Sequence, residues 1–212
     1  RQRESSPDRL AALGWDPGWA AVAESSDEQG LIPMRVGAAV RGKVLLMGQP
    51  GLDGCWVSYR SSLLVKGDPL SIPAVGDWVL VRPQGDGGVI EALLPRRTCF
   101  TRRAAGRQVK PQVVAANIDR VFIVSDVVGD FSVRRLERYL ATVWDSGAEP
   151  IIVLNKTDLA HDPAALWREL EVAAAGIKVL MVSALNDQGL EQLVEQCGAG
   201  LTVAMVGSSG VG

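Results

Sequence analysis

The chain has little sulfur and almost no imidazole. Its 212 residues include three cysteines and one histidine. Cys55, Cys99 and Cys197 lie far apart, are odd in number and form no CxxC pair. With only His161 beside them they make no metal-ligand cluster, so reduced structural thiols are expected and no metal site is expected within these residues. Long apolar runs are missing too, since none approaches the roughly 18–20 residues that cross a bilayer. The opening stretch RQRESSPDRLAALGWDPGWA is charged and polar and has no signal-peptide core. A cytoplasmic protein without a membrane partner is therefore expected.

What is present is ordinary for a globular chain: 47% hydrophobic and 22% charged residues. The length holds one large domain or two small ones. The net charge of −2 hides an asymmetry. Residues 1–34 carry net −3, residues 35–116 net +7 and residues 117–212 net −6. A basic middle between acidic flanks points to a polyanion-binding module joined to something else.

Four segments follow from the patterning. Residues 1–34 read as an N-terminal extension and linker, with helical DRLAALGWDPGWAAVAE broken at Gly14 and Pro17 and stapled to a neighbour by Trp15 and Trp19. Residues 35–95 hold five short runs, AAVRGKVLLMG, CWVSYRS, LLVKG, VGDWVLVRP and GGVIEALLP, separated by Gly, Pro and Asp. That spacing predicts a small five-stranded antiparallel barrel, an OB-fold ahead of an SH3-like barrel of similar pattern. Residues 96–116 read as a basic interdomain loop. Arg96, Arg97, Arg102, Arg103, Arg107 and Lys110 fall there with no acid between them, and Phe100 is positioned to stack on a base. Such a loop tracks a phosphate backbone by releasing counterions, or is a solvated linker.

From residue 117 to 212 the grammar is α/β. RVFIVSD, PIIVLN, IKVLMVS and LTVAMVG are near-continuous apolar runs, as expected of strands buried on both faces of a mostly parallel sheet. Helical patterns lie between them. In one, Val133, Leu136, Leu140, Val143 and Trp144 share a face, Ser132 is placed to cap and Gly147 follows the end. Another starts at Asp162 and Pro163. NDQGLEQLVEQCG supplies the third.

Ligands of such sheets bind beyond the carboxyl ends of the strands. Three segments leave strands there. The first is NKTD, with Asn155, Lys156 and Asp158. A carboxylate at Asp158 can accept from both guanine N1–H and the exocyclic amine, whereas adenine would leave it unpaired. Asn155 can bridge base and loops, and the Lys156 stem can lie along the base plane. The second is Ser183–Ala184, where small residues let backbone N–H groups approach a base oxygen; the bland reading is an ordinary loop with Asn186 or Asp187 as a cap. The third is Gly207, Ser208, Ser209, Gly210, Val211 and Gly212, the first six positions of G-x-x-x-x-G-K-[ST] after a strand. Backbone N–H groups of such a turn cradle phosphate oxygens. The order is base-reading turn first and phosphate loop last, the reverse of the usual GTPase order, as a circular permutation would leave it.

These motifs resemble the RsgA (YjeQ) family of circularly permuted GTPases that depend on the small ribosomal subunit. The resemblance runs over about residues 35–212, through AVGDWVLV, IEALLPRRTCFTRRAAGR, DFSVRRLERYLATVWDSGAEPIIVLNKTDL, VSALNDQGLEQL and VAMVGSSGVG. It implies an N-terminal OB-fold, GTP and GDP with Mg²⁺ as ligands, GTP hydrolysis and a role in late 30S maturation. It implies the small subunit and its rRNA as partners and a monomeric state. It also implies guanine contacts by Asn155, Lys156, Asp158, Ser183 and Ala184, and phosphate contacts by residues 207–212. The family's phosphate-loop Lys and Ser/Thr, its switch regions and its C-terminal Zn²⁺ domain have no counterpart in residues 1–212. No catalytic residue is therefore expected within these residues, and weak nucleotide binding without hydrolysis is. The alternative is a non-enzymatic RNA-binding module with an α/β platform; an ATP-using kinase is disfavoured by NKTD.

Overall fold

In a computed structural model, the structure describes residues 6–26, 29–60, 63–65, 68–85, 87–103, 111–129, 131–162, 166–168, 170–171 and 174–212. The chain forms two compact units, residues 1–117 and 118–212.

The first unit is built on a five-stranded antiparallel sheet. Its strands are β1 (Ile32–Val40), β2 (Lys43–Met47), β3 (Trp56–Ser58), β4 (Trp78–Gln84) and β5 (Gly87–Leu93), in the order β3-β2-β1-β4-β5. A parallel bridge between Tyr59 and Ile90 joins the two outer ends. The run AAVRGKVLLMG is a hairpin rather than one strand, since Val40 pairs with Lys43 across Arg41–Gly42. Residues 63–65, expected in a strand, lie outside the sheet. Period two decides the packing of β4, which is buried on both faces. Val79 and Val81 join Met34, Val36, Leu46 and Ile90 in the interior. Trp78 and Leu80 point the other way, beneath α1 (Ser6–Ala12) and α2 (Pro17–Glu24). Trp15 meets Trp78 edge-on at 4.8 Å between ring centroids, and Trp19 lies 6.3 Å from it. The N-terminal segment is thus part of this unit's core, anchored where the two tryptophans were expected to staple it.

The stretch 96–116 is a correction to the loop expectation. Strands β6 (Cys99–Arg103) and β7 (Pro111–Ala116) pair antiparallel as a separate two-stranded sheet. Phe100 pairs with Ala115, Thr101 with Val113 and Arg102 with Gln112, with a register shift between Phe100 and Thr101.

The second unit is a four-stranded parallel sheet in the order β10-β9-β8-β11. Its strands are β8 (Arg120–Asp126), β9 (Glu149–Asn155), β10 (Lys178–Met181) and β11 (Val203–Gly207). The chain steps outward from β8 to β10, then crosses back so that β11 pairs with the far side of β8. Phe122, Ile151, Val153, Leu180 and Val182 form the core of one face. Helix α3 (Val133–Ser146) lies between β8 and β9 in the chain and buries Leu136, Leu140 and Val143. Gly147 ends it in the left-handed conformation, its N–H returning to the Trp144 carbonyl. Two expectations for this helix change. Trp144 is exposed, because 136, 140 and 143 define the buried stripe and 144 falls beside it. Ser132 occupies the cap position without a side-chain cap bond. Asp162 accepts the Leu166 N–H through its carbonyl, while Pro163 lies outside the described residues. The last helix, α4, is Leu190–Glu195 and is preceded by Gly189 rather than by Asn186 or Asp187.

Candidate functional site

The strand order reverses at β8, with β9 on one side and β11 on the other, so the carboxyl ends of β8, β9 and β11 form a switch point, where an open α/β sheet offers a crevice. Two of the three sequence-selected segments of this unit, NKTD and residues 207–212, lie at the ends of β9 and β11, and the third, Ser183–Ala184, follows the neighbouring β10. Asn155 and Asp126 are in-register neighbours at the ends of β9 and β8, and Gly207 closes β11 beside Val124.

Asn155 is 5% exposed and joins two loops. Its Nδ2 donates to the Val211 carbonyl at 2.9 Å. Its Oδ1 accepts from the Ala184 N–H at 3.0 Å. One amide therefore staples the phosphate-type loop to the Ser183–Ala184 turn, and both of its ends are satisfied within the protein. Lys156 follows in the left-handed region at φ 61°. Its Nζ donates to Asp126 Oδ2 and to the Gly210 carbonyl, each at 2.7 Å. Thr157 secures the turn to β10's exit, through its N–H and its hydroxyl to the Val182 carbonyl. Asp158 differs from its neighbours: it is exposed and has no hydrogen bond or ion pair to a described residue. It sits in the 3-10 turn Thr157–Leu159.

The Ser183 turn is closed by two backbone bonds with Gln188, at 3.0 and 3.1 Å. Ser183 is fully buried, and its Oγ has no partner among the described residues. A buried hydroxyl without a partner is costly and marks a place where a ligand or water completes the bonding.

In the loop after β11, a Cβ on Gly207 would stand 2.5 Å from the Val124 carbonyl, so only glycine lets the strand end lie this close to β8. Val211 is buried and pins the loop from below. The carbonyls of Gly210 and Val211 face Lys156 and Asn155. The N–H groups of Ser208, Ser209 and Gly210 donate to no described residue. Ser208 Oγ accepts from Arg135 of α3 at 3.1 Å. Asp126 and Arg135 were not singled out by sequence. No local sequence pattern marks Asp126; its register with Asn155 exists only in the folded sheet.

The six basic residues of 96–112 separate. Arg96 forms a bidentate pair with the fully buried Asp77, with 2.7 Å for both Nε and Nη2, and donates to the Ile72 carbonyl at 2.8 Å. Arg97 pairs with Asp16 and stacks over Trp19 at 4.3 Å. It holds the Asp16 carboxyl down at about 2 from an ordinary 3.8. Arg102 is exposed, bonded to Gln112 at 3.2 Å. Arg103 lies in β6. Arg107 and Lys110 lie outside the described residues. Burial pushes the Cys99 thiol up, as suits a structural cysteine. Among the described residues no group of three or more His, Cys, Asp and Glu could hold a metal ion.

Residues 93–212 match the family model of the RsgA GTPase. The chain is 35% identical over 211 residues to the small ribosomal subunit biogenesis GTPase RsgA of Streptomyces coelicolor, covering 98% of this chain and 56% of that protein. The chain thus spans little more than half the length of this relative. The crystal structure of YjeQ from Thermotoga maritima superposes with a TM-score of 0.68 at 27% identity, over 86% of this chain and 62% of that one. YloQ, described as a circularly permuted GTPase, shares the fold at a TM-score of 0.64 and 22% identity, over 88% and 63%. The family model spans more than half of the residues and takes in the NKTD turn, the Ser183 turn and the loop of residues 207–212 together, and the chain belongs to the RsgA GTPase family.

Proposed function

We propose that this chain carries the guanine-reading half of a GTP-hydrolysing factor that acts in late maturation of the small ribosomal subunit. The observation that carries the reading is Asp158: an exposed carboxylate without a partner among the described residues, on a turn whose neighbours Asn155 and Lys156 are tied to the phosphate-type loop. Guanine offers two parallel donors to such a carboxylate and adenine does not, so a seated adenine would leave the carboxylate covered and unpaired. Ser183 and Ala184 would border the base, and the open N–H groups of residues 208–210 would receive phosphate oxygens. Mg²⁺, when bound with the nucleotide, supplies charge neutralisation in phosphoryl transfer. No residue of 1–212 is assigned as its ligand or as a hydrolytic group, so the 212-residue polypeptide by itself is expected to bind GDP weakly and to turn over no GTP.

We infer that the first unit is an OB-type barrel. The order β3-β2-β1-β4-β5 with a parallel closure between Tyr59 and Ile90 supports this over an SH3-like barrel. Ribosomal RNA is its proposed ligand, through Arg102, Arg103, Arg107 and Lys110; Arg96 and Arg97 instead hold this unit together. No described helix is long and apolar enough to cross a membrane, and a cytoplasmic monomer is the proposed form.

The test is a base switch. Asp158→Asn in the natural full-length protein presents an amide that suits xanthine instead of guanine. GTP affinity is expected to fall about 10- to 100-fold, the size of a lost hydrogen bond to a charged group, while xanthosine triphosphate gains. Unchanged preference would favour the non-enzymatic RNA-binding module.

A further inference from the structure

Asp126 is a buried acid that none of the motifs uses. It ends β8 and is 7% exposed. Its Oδ1 accepts from the N–H groups of Val128 at 3.2 Å and Gly129 at 2.9 Å, the bonds of an Asx turn. Its Oδ2 accepts from Lys156 Nζ at 2.7 Å, and that ammonium donates in turn to the Gly210 carbonyl. One carboxylate therefore fixes a loop with one oxygen and a flexible cation with the other. The acid is far less exposed than the lysine, at 9% against 35% of the side chain, so water competes weakly for it.

We propose that Asp126 is a positioning residue for guanine-nucleotide binding. It anchors the Lys156 ammonium, holds the lysine stem flat along the base seat and ties the base-reading turn to the phosphate-type loop at Gly210. The inference rests on the guanine-nucleotide reading above. A lysine is a four-carbon stem with a hydrated charge and many rotamers. Ordering it only when ligand arrives lowers affinity, and an anchor that orders it beforehand removes that loss. Because the same ammonium reaches Gly210, base occupancy and loop conformation share one link. Asp126 acts through Lys156.

The test is a double-mutant cycle on GDP affinity in the natural full-length protein, with thermal unfolding as a control. Asp126→Asn keeps an acceptor for the Val128–Gly129 turn and removes the charge that holds Lys156. GDP affinity is expected to fall about tenfold, as for a lost charge-assisted hydrogen bond, with the melting temperature little changed. In a Lys156→Met background the same substitution should change affinity by less than about twofold, because residues acting as a unit do not add. A merely structural role would give equal losses in both backgrounds, and that result overturns the proposal. So does Asp126→Asn binding GDP as the unaltered protein does. Asp126→Ser, which also keeps a turn acceptor, stands in if Asp126→Asn does not fold; failure of both to fold assigns Asp126 to stability alone and overturns the positioning role. The two readings fail separately. An unchanged base preference in Asp158→Asn removes the guanine site itself, whereas a switched preference with normal GDP binding in Asp126→Asn removes only this inference.

Discussion

Arg96→Ala separates a phosphate contact from a structural ion pair. Asp77 is fully buried, and its two oxygens accept Nε and Nη2 of Arg96 at 2.7 Å each. The guanidinium also satisfies the carbonyls of Leu70 and Ile72. Alanine leaves the carboxylate with the Ala74 N–H, at 2.7 Å, as its remaining hydrogen bond. Removing one partner of a buried pair costs about 3–5 kcal/mol. That is a large share of the roughly 5–15 kcal/mol that holds a domain folded. The melting temperature should drop by roughly 10–25 °C. Urea and thermal unfolding followed by tryptophan fluorescence read this directly, since Trp15, Trp19 and Trp78 lie in the same unit. Replacing both partners, Asp77→Asn with Arg96→Met, should cost less than Arg96→Ala alone, because no buried charge is stranded. A loss under about 1 kcal/mol, the size of an exposed pair, together with weakened RNA binding would refute the structural role.

Two further outcomes are expected. Asp16 titrates at about 2 in the folded chain against an ordinary 3.8, chiefly through its Arg97 hydrogen bond, so its contribution is complete above pH 3.8 and is lost as pH falls from 3.8 to about 2. Unfolding midpoints measured from pH 5 to 2 should therefore converge with those of Asp16→Asn, and a constant gap between the two would count against this pair. Neutralising Arg102, Arg103 and Arg107 together should flatten the slope of log affinity for rRNA against log salt by about 2, at roughly 0.7 per phosphate contact on single strands; an unchanged slope would leave 96–116 without a role in RNA binding.

Much of the second unit was legible because its strands are apolar runs; β8 and β9 are buried along most of their length, as expected, whereas β11 is not, with Met205 exposed. The run RVFIVSD matches β8 residue for residue, and PIIVLN misses β9 only by Glu149. The site-bearing turns follow directly from those ends, so NKTD and the Gly207 loop are found where the sheet must open. The first unit was less legible because its strands are not set apart as separate apolar runs. There Arg41–Gly42 turns a single apparent run into two strands. The β6–β7 hairpin was hidden by charge: six cations suggest a loop, yet Arg96 is drawn inward by Asp77 and Arg97 is paired at the surface with Asp16, partners that lie 19 and 81 residues away in the chain. Asp126 was illegible for a similar reason. Its role depends on Lys156 Nζ across a parallel register, which no local pattern encodes.

The most direct test of the guanine site is to map amide chemical shifts of the 212-residue chain titrated with GDP and, separately, with ADP. GDP should move the resonances of Asp158, Ser183, Ala184 and residues 207–212, and ADP should leave them in place. Shifts of equal size with ADP, or shifts confined to residues far from the ends of β8, β9 and β11, would contradict a guanine site at this edge of the sheet.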